Sequence, residues 1–192
     1  MGTNRLEAFS DGVLAIIITI MVLELKVPHD ASLAALEALW PVFFSYILSF
    51  VYVGIYWNNH HHMMHVTERV SGSVLWANLH LLFWLSLLPF STGWMGENHF
   101  ARWPTMAYGA NLLLCAAAYF LLEQRIIAAE GPEGRLARAV GFDLKGKASP
   151  VLYVLGIAAA GWVAPVAGLA IFALVATLWL VPDRRIERTI ED

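Results

Sequence analysis

The sequence predicts an all-α integral membrane protein with six membrane-spanning helices, and three observations carry that prediction. Of its 192 residues, 59% are hydrophobic and 14% charged, with a mean hydropathy of +0.62, well outside the range of soluble globular chains. Stretches free of Asp, Glu, Lys and Arg cover 38–67, 70–96, 103–122 and 148–182, against roughly 20 residues for one helical crossing. Laid out as helices, these stretches leave ten basic residues on one side and two on the other.

The first helix is expected at 4–26 and is unusual. Its uncharged part, from Gly12 to Leu23, has 12 residues, about 18 Å of helix against a hydrocarbon core of about 30 Å. Arg5, Glu7 and Asp11 stand at one end and Glu24 at the other. Ionisable groups so placed need protein partners or water, so lipid alone is not its environment. Two starts are open: Ser10 and Asp11 capping a helix that begins at Gly12, or an earlier start at Thr3-x-x-Leu6-Glu7 that leaves Asp11 inside the helix. On a wheel of about 100° per residue, Ile16, Ile20 and Leu23 fall within about 40° of Phe9, with Thr19 to one side and Ser10 and Asp11 elsewhere. Leu14, Ile18, Met21 and Leu25 make an equally apolar stripe behind, so the wheel alone does not find a pore.

Helices at 38–66, 69–93 and 102–126 account for one span each. The run 148–182 would be about 52 Å long, and Gly161-Trp162-Val163-Ala164-Pro165 supplies a stop and restart, giving a hairpin of helices at 146–163 and 165–182. Residues 130–147 read as a polar connection near anionic headgroups. The whole of 1–192 is therefore one six-helix transmembrane domain. Six spans put both termini on one side, with Arg5, Arg69, Arg125, Arg135, Arg138, Lys145, Lys147, Arg184, Arg185 and Arg188, whereas only Lys26 and Arg102 lie opposite. That asymmetry makes the terminal side cytoplasmic. The start carries no cleavable signal pattern, and Cys115, the single cysteine, falls inside the fourth helix, so neither an intrachain disulfide nor a cysteine-based zinc motif is expected. A net charge of −3 implies no partner, and nucleic acid is not expected.

Four of the seven histidines lie in Asn58-Asn59-His60-His61-His62-Met63-Met64-His65. His61 and His65 have the spacing of two ligands on one helix face. However, no cysteine is near, Glu68 is the nearby carboxylate, and no His-Glu-x-x-His motif occurs, so no metal and no cofactor are expected. The second helix ends on the membrane side where the first begins, and a carboxylate there needs donors. An interhelical hydrogen-bond network is the preferred role, with His60, His61, His62, Arg5, Asn58 and Trp57 as donors toward Asp11. Which histidine reaches Asp11 is open.

The string Arg5-x-x-x-Phe9-Ser10-Asp11-Gly12-Val13-Leu14-Ala15-Ile16, the second-helix ending Tyr56-Trp57-Asn58-Asn59-His60-His61-His62 and the third-helix residues Asn78 and Leu87-Leu88-Pro89-Phe90 resemble the prokaryotic branch of the transmembrane protein 175 family of potassium-permeable cation channels. The resemblance runs over essentially the whole chain. It implies a homotetramer in the inner (plasma) membrane of a prokaryote, with four copies of the first helix around a central pore and K+ as the permeating ion. It also implies an apolar constriction at Ile16, with Ile20 and Leu23 further along and Thr19 hydroxyls beside it. Arg5, Phe9, Ser10 and Asp11 carry the motif. No Thr-Val-Gly-Tyr-Gly run is present, so a carbonyl-ring filter is not available, and moderate selectivity would arise from the cost of dehydration.

The expected activity is thus passive conduction and not catalysis. A proton-coupled cation transporter using Asp11 and the second-helix histidines is the alternative, weakened by the lack of a repeat between helices 1–3 and 4–6. A metal-dependent hydrolase on His61 and His65 ranks last, because no base or nucleophile accompanies them.

Overall fold

A computed structural model describes residues 2–131, 133–140 and 144–180, and among these the chain is helical with no strand. The helices are α1 (Thr3–Leu23), α2 (Leu33–Glu37), α3 (Trp40–Val66), α4 (Gly72–Ser86), α5 (Leu88–Glu97), α6 (Arg102–Glu130), α7 (Arg135–Val140), α8 (Leu144–Trp162) and α9 (Pro165–Leu180). Four are long and apolar enough to cross a membrane: Thr3–Leu23, Trp40–Val66, Gly72–Glu97 as a joined pair, and Arg102–Glu130. The protein is a membrane protein. Helix α9 is apolar but 16 residues long, about 24 Å.

Local chemistry explains where these elements begin and end. Helix α1 starts at Thr3 after Gly2, so the early start holds and Asp11 lies inside a helix instead of capping one. Ser71 caps α4 through Val74 N–H at 3.4 Å, which sets the start of the third apolar segment at Gly72 and not at 69. Leu87 and Pro89 break that segment into α4 and α5, because proline at the second position cannot donate into the preceding turn. Helix α6 runs to Glu130, four residues past the expected 126, and stops at Gly131, whose φ of 89° suits a residue without a Cβ. The hairpin of α8 and α9 turns at Val163–Ala164 with Pro165 opening the second helix. Within the polar segment 130–147 a short helix, α7, forms. Residues 181–182 of the expected last helix and the basic Arg184, Arg185 and Arg188 lie outside the described residues.

One continuous apolar core runs through α1 and α3–α9, from Leu6 and Met21 through Tyr52, Leu85, Leu88, Leu112 and Leu136 to Tyr153 and Phe172. Small residues let its helices meet. A Cβ at Gly96 would stand 2.9 Å from Val42 Cα, so α5 lies against α3 backbone to backbone, as membrane interfaces favour. The core also holds hydroxyls in pairs: Ser49 bonds Thr92 at 2.6 Å and Tyr108 at 3.0 Å, and Tyr52 O–H donates to Phe172 O at 2.6 Å. Such groups have no water to turn to at membrane depth.

Candidate functional site

Helix α1 divides sharply between two faces. Leu6, Ser10, Leu14, Ile17 and Met21 are buried against the rest of the subunit. Phe9, Ile16, Thr19, Ile20 and Leu23 are exposed on the other side, Ile16 at 59% and Leu23 at 76%. The three- and four-residue steps between them are those of one helix face. Gly12 continues the face, with nothing within 4 Å of where its Cβ would be. The stripe behind is the packing surface: Leu14 and Met21 are buried, Ile18 and Leu25 partly so. Thr19 O–H donates to Ala15 O at 2.9 Å, so the hydroxyl proton is spent on the helix and oxygen lone pairs face outward.

Three interhelical bonds hold α1 by its first half. His61 Nδ1–H donates to Glu7 Oε1 at 2.5 Å, and Trp57 Nε1–H donates to Asp11 Oδ1 at 3.1 Å. Deeper, His60 Nε2–H donates to Asn78 Oδ1 at 2.8 Å and Asn78 Nδ2–H to Ser10 Oγ at 3.0 Å, while Ser10 O–H returns to Leu6 O at 2.9 Å. Because Asn78 Oδ1 can only accept, the bond fixes the proton of a neutral His60 on Nε2. This chain passes through three helices with Ser10 and Asn78 fully buried.

The expected network around Asp11 is therefore divided. Trp57 serves Asp11, whereas His61 goes to Glu7 and His60 to Asn78. Arg5 and Phe9 lie on the exposed face instead, and the Arg5 guanidinium has no partner among the described residues. His62 is partly buried on α3 beside His61, ring centroids 5.7 Å apart. Glu7 and Asn78 were missing from the expected set. Glu7 is one turn before Asp11 and so shares its helix side, and Asn78 is a lone amide in the apolar α4, where burial demands a partner.

At the opposite end of α1, Lys26 pairs with Glu97 at 2.5 Å. Glu24 lies over Gly93, its Oε2 3.1 Å from the Cβ position there. Partial burial, and secondarily the Glu97 charge, push the Glu24 carboxyl above its ordinary range.

The profile of the family described as the endosomal/lysosomal potassium channel TMEM175 matches residues 5–89, a segment that contains all of the α1 bonds to α3 and α4. A potassium channel of Chryseobacterium sp. strain P1-3 is 53% identical over 192 residues, the full length of both chains. This chain belongs to the TMEM175 family. A potassium channel of Streptomyces collinus is 38% identical over 99 residues, 50% of this chain and 48% of its own. The crystal structure of a homolog, from Chamaesiphon minutus, of the lysosomal potassium-selective channel TMEM175 matches with a TM-score of 0.82 at 26% identity, over 93% of this chain and 96% of that one. TMEM175 is a family of ion channels, which is not an enzymatic function.

Among the described residues no group of three or more His, Cys, Asp and Glu is placed to hold a metal, although the His61 and His65 rings are 6.3 Å apart. Elemental analysis after exhaustive dialysis is expected to find no stoichiometric zinc, and chelator is expected to leave assembly unchanged. One tightly held metal per subunit, lost in both His61→Gln and His65→Gln together with folding, would revive a metal role for this TMEM175 cluster.

Proposed function

We propose that this chain forms a passive, moderately selective potassium channel, a homotetramer with four α1 helices around a central pore. The observation that carries the reading is the exposed face of α1. A single subunit buries Ser10, Leu14, Ile17 and Met21 and leaves Ile16, Thr19, Ile20 and Leu23 outside its own packing, an arrangement that suits a helix lining a shared axis. The full-length relative and the solved homolog, both named as potassium channels, support K+ as the ion.

In this reading Ile16 forms the tightest ring, Ile20 and Leu23 continue the apolar wall, and Thr19 turns oxygen lone pairs toward the passing cation. An apolar ring dewets when narrow, and an ion crosses it by shedding water. Potassium sheds its shell at lower cost than sodium and passes more easily, with weaker discrimination than ordered carbonyls give. Six crossings, with α8 and α9 completing the set around the lipid-facing side, put both termini in the cytoplasm of a prokaryotic inner membrane, and no cofactor or metal takes part. Recording from purified protein in planar bilayers tests the proposal. Ohmic single-channel steps whose reversal follows the potassium gradient are expected; saturable flux that needs a proton gradient would mean a coupled transporter instead.

Asp11 is structural here, because it points toward Trp57 on α3 and not along the Ile16 face. Asp11→Asn keeps an acceptor for the indole but removes its charge, and a charged acceptor outweighs a neutral one by about 1 kcal/mol. The expected outcome is a less stable tetramer by thermal unfolding, with near-normal selectivity in the surviving channels. Intact assembly with lost cation preference would instead put Asp11 in the pore.

A further inference from the structure

A recess away from α1 has a chemistry that conduction does not use. It lies between the start of α4 and the far end of α6, has a volume of about 570 Å³, and is lined by Arg69, Val70, Ser71, Ser73, Arg125 and the alanines that follow on α6. Neither guanidinium has an ion pair or hydrogen bond among the described residues. The nearby carboxylates are engaged with other groups, although Glu130 Oε1 also accepts the backbone N–H of Arg69 at 3.5 Å and so lies beside the recess. Glu68 pairs with Arg135 at 3.3 Å, and Glu130 Oε1 accepts the backbone N–H of Glu68 at 2.6 Å.

The donors converge. Ser71 and Ser73 hydroxyls are 2.9 Å apart and close the mouth of α4. The cap satisfies Val74 N–H, which leaves the N–H groups of Gly72 and Ser73 without an intrahelical acceptor, as in any first turn. Nothing stands within 4 Å of a Cβ at Gly72, so that turn is open. Two forked cations, two hydroxyls and a helix start together suit a phosphate. The floor of Val70, Ala128 and Ala129 is apolar, and the recess sits at the end of two membrane helices, where headgroups lie.

We propose that the recess between the start of α4 and the end of α6 holds the phosphate of an anionic phospholipid, gripped by Arg69 and Arg125 with Ser71 and Ser73, its acyl chains running down the outer α4–α6 surface. Both charge and depth fit: a free anion would use the arginines but not the apolar floor or the adjoining membrane surface. The site ties α4, and through Asn78 the pore helix, to the lipid composition of one leaflet.

The test uses the full chain in detergent micelles and reads thermal unfolding with added phosphatidylglycerol, with phosphatidylcholine or with inorganic phosphate. Phosphatidylglycerol is expected to raise the unfolding temperature by several degrees, phosphatidylcholine and inorganic phosphate to do little. In Arg69→Gln and Arg125→Gln most of that rise is expected to disappear, whereas Arg135→Gln, which removes an equal charge nearby, keeps it. Native mass spectrometry reads the same contrast as retained lipid, independently of how stable each variant is. An equal loss in all three variants would reduce the effect to general charge, and a rise with inorganic phosphate alone would make the occupant a soluble anion; either result overturns the proposal.

Discussion

Replacing Ile16 with asparagine is expected to raise single-channel conductance several-fold and to bring the potassium-to-sodium permeability ratio close to one. The exposed face of α1 offers few other candidates for a barrier. Phe9 is a turn or two before Ile16, near the charged end, and Leu23 is at the last turn. Ile16 and Ile20 are the branched aliphatic side chains between them on that face, 59% and 43% exposed within one subunit. In the proposed tetramer a ring of four isoleucines keeps water out unless it widens, so the ion crosses partly bare. Four amides at the same height supply oxygens and donors that hold water in place, and the dehydration step that distinguishes the two ions is removed. Bilayer recordings under bi-ionic conditions measure both quantities. Unchanged current and an unchanged ratio in Ile16→Asn would remove this residue from the barrier, and Ile20→Asn then becomes the next ring to test.

The orientation of α1 that this argument needs is set from behind. Ser10, Asn78 and His60 link three helices in a buried chain, and although His60 Nδ1 has no partner among the described residues, the bonds that are made have no water to replace them at membrane depth and are costly to break. Here the limits of the sequence have a physical cause. Hydropathy located α3, α6 and the α8–α9 hairpin because lipid demands long apolar runs, and the short charged first helix was recognisable as one that packs on protein. What periodicity could not decide was which of two apolar stripes on α1 faces its own subunit, since Leu14 and Met21 look no different from Ile16 and Ile20 as letters. The deciding residue is polar: Ser10 must reach Asn78, and that turns the Leu14 side inward. The partners of the individual histidines stayed open for the same kind of reason. Membrane side brought His60 and His61 near Asp11, but the turn of α3 aims one at α4 and the other at Glu7, a difference of about 100° between neighbours that only packing reveals.

Gly168→Val is expected to abolish accumulation of assembled protein, or to lower the unfolding temperature of what remains by the largest margin among single glycine variants. A Cβ at Gly168 would lie 2.5 Å from Gly156 O and 2.6 Å from Ala160 Cβ, a contact with backbone that no rotamer relieves. One turn later Phe172 fills the space left by two more glycines, with Cβ positions at Gly109 and Gly156 falling 2.2 Å and 2.4 Å from its ring. Its carbonyl also accepts Tyr52 O–H at 2.6 Å. Phe172 thus joins α6, α8 and α9 by its ring, through two absent side chains, and α3 by its carbonyl. Without a hydrophobic drive between helices in lipid, such close approach is what holds them together, so pushing α9 off α8 costs more than the 1–3 kcal/mol of typical overpacking. Gly54→Ala is the comparison: nothing lies within 4 Å of its Cβ position, and in mid-helix alanine gains about 1 kcal/mol over glycine. Size-exclusion profiles and thermal unfolding of the two variants side by side measure the contrast. Equal stability would mean that α8 and α9 can separate at Gly168 without cost, and the Phe172 junction would then have no part in holding α8 and α9 to α3 and α6.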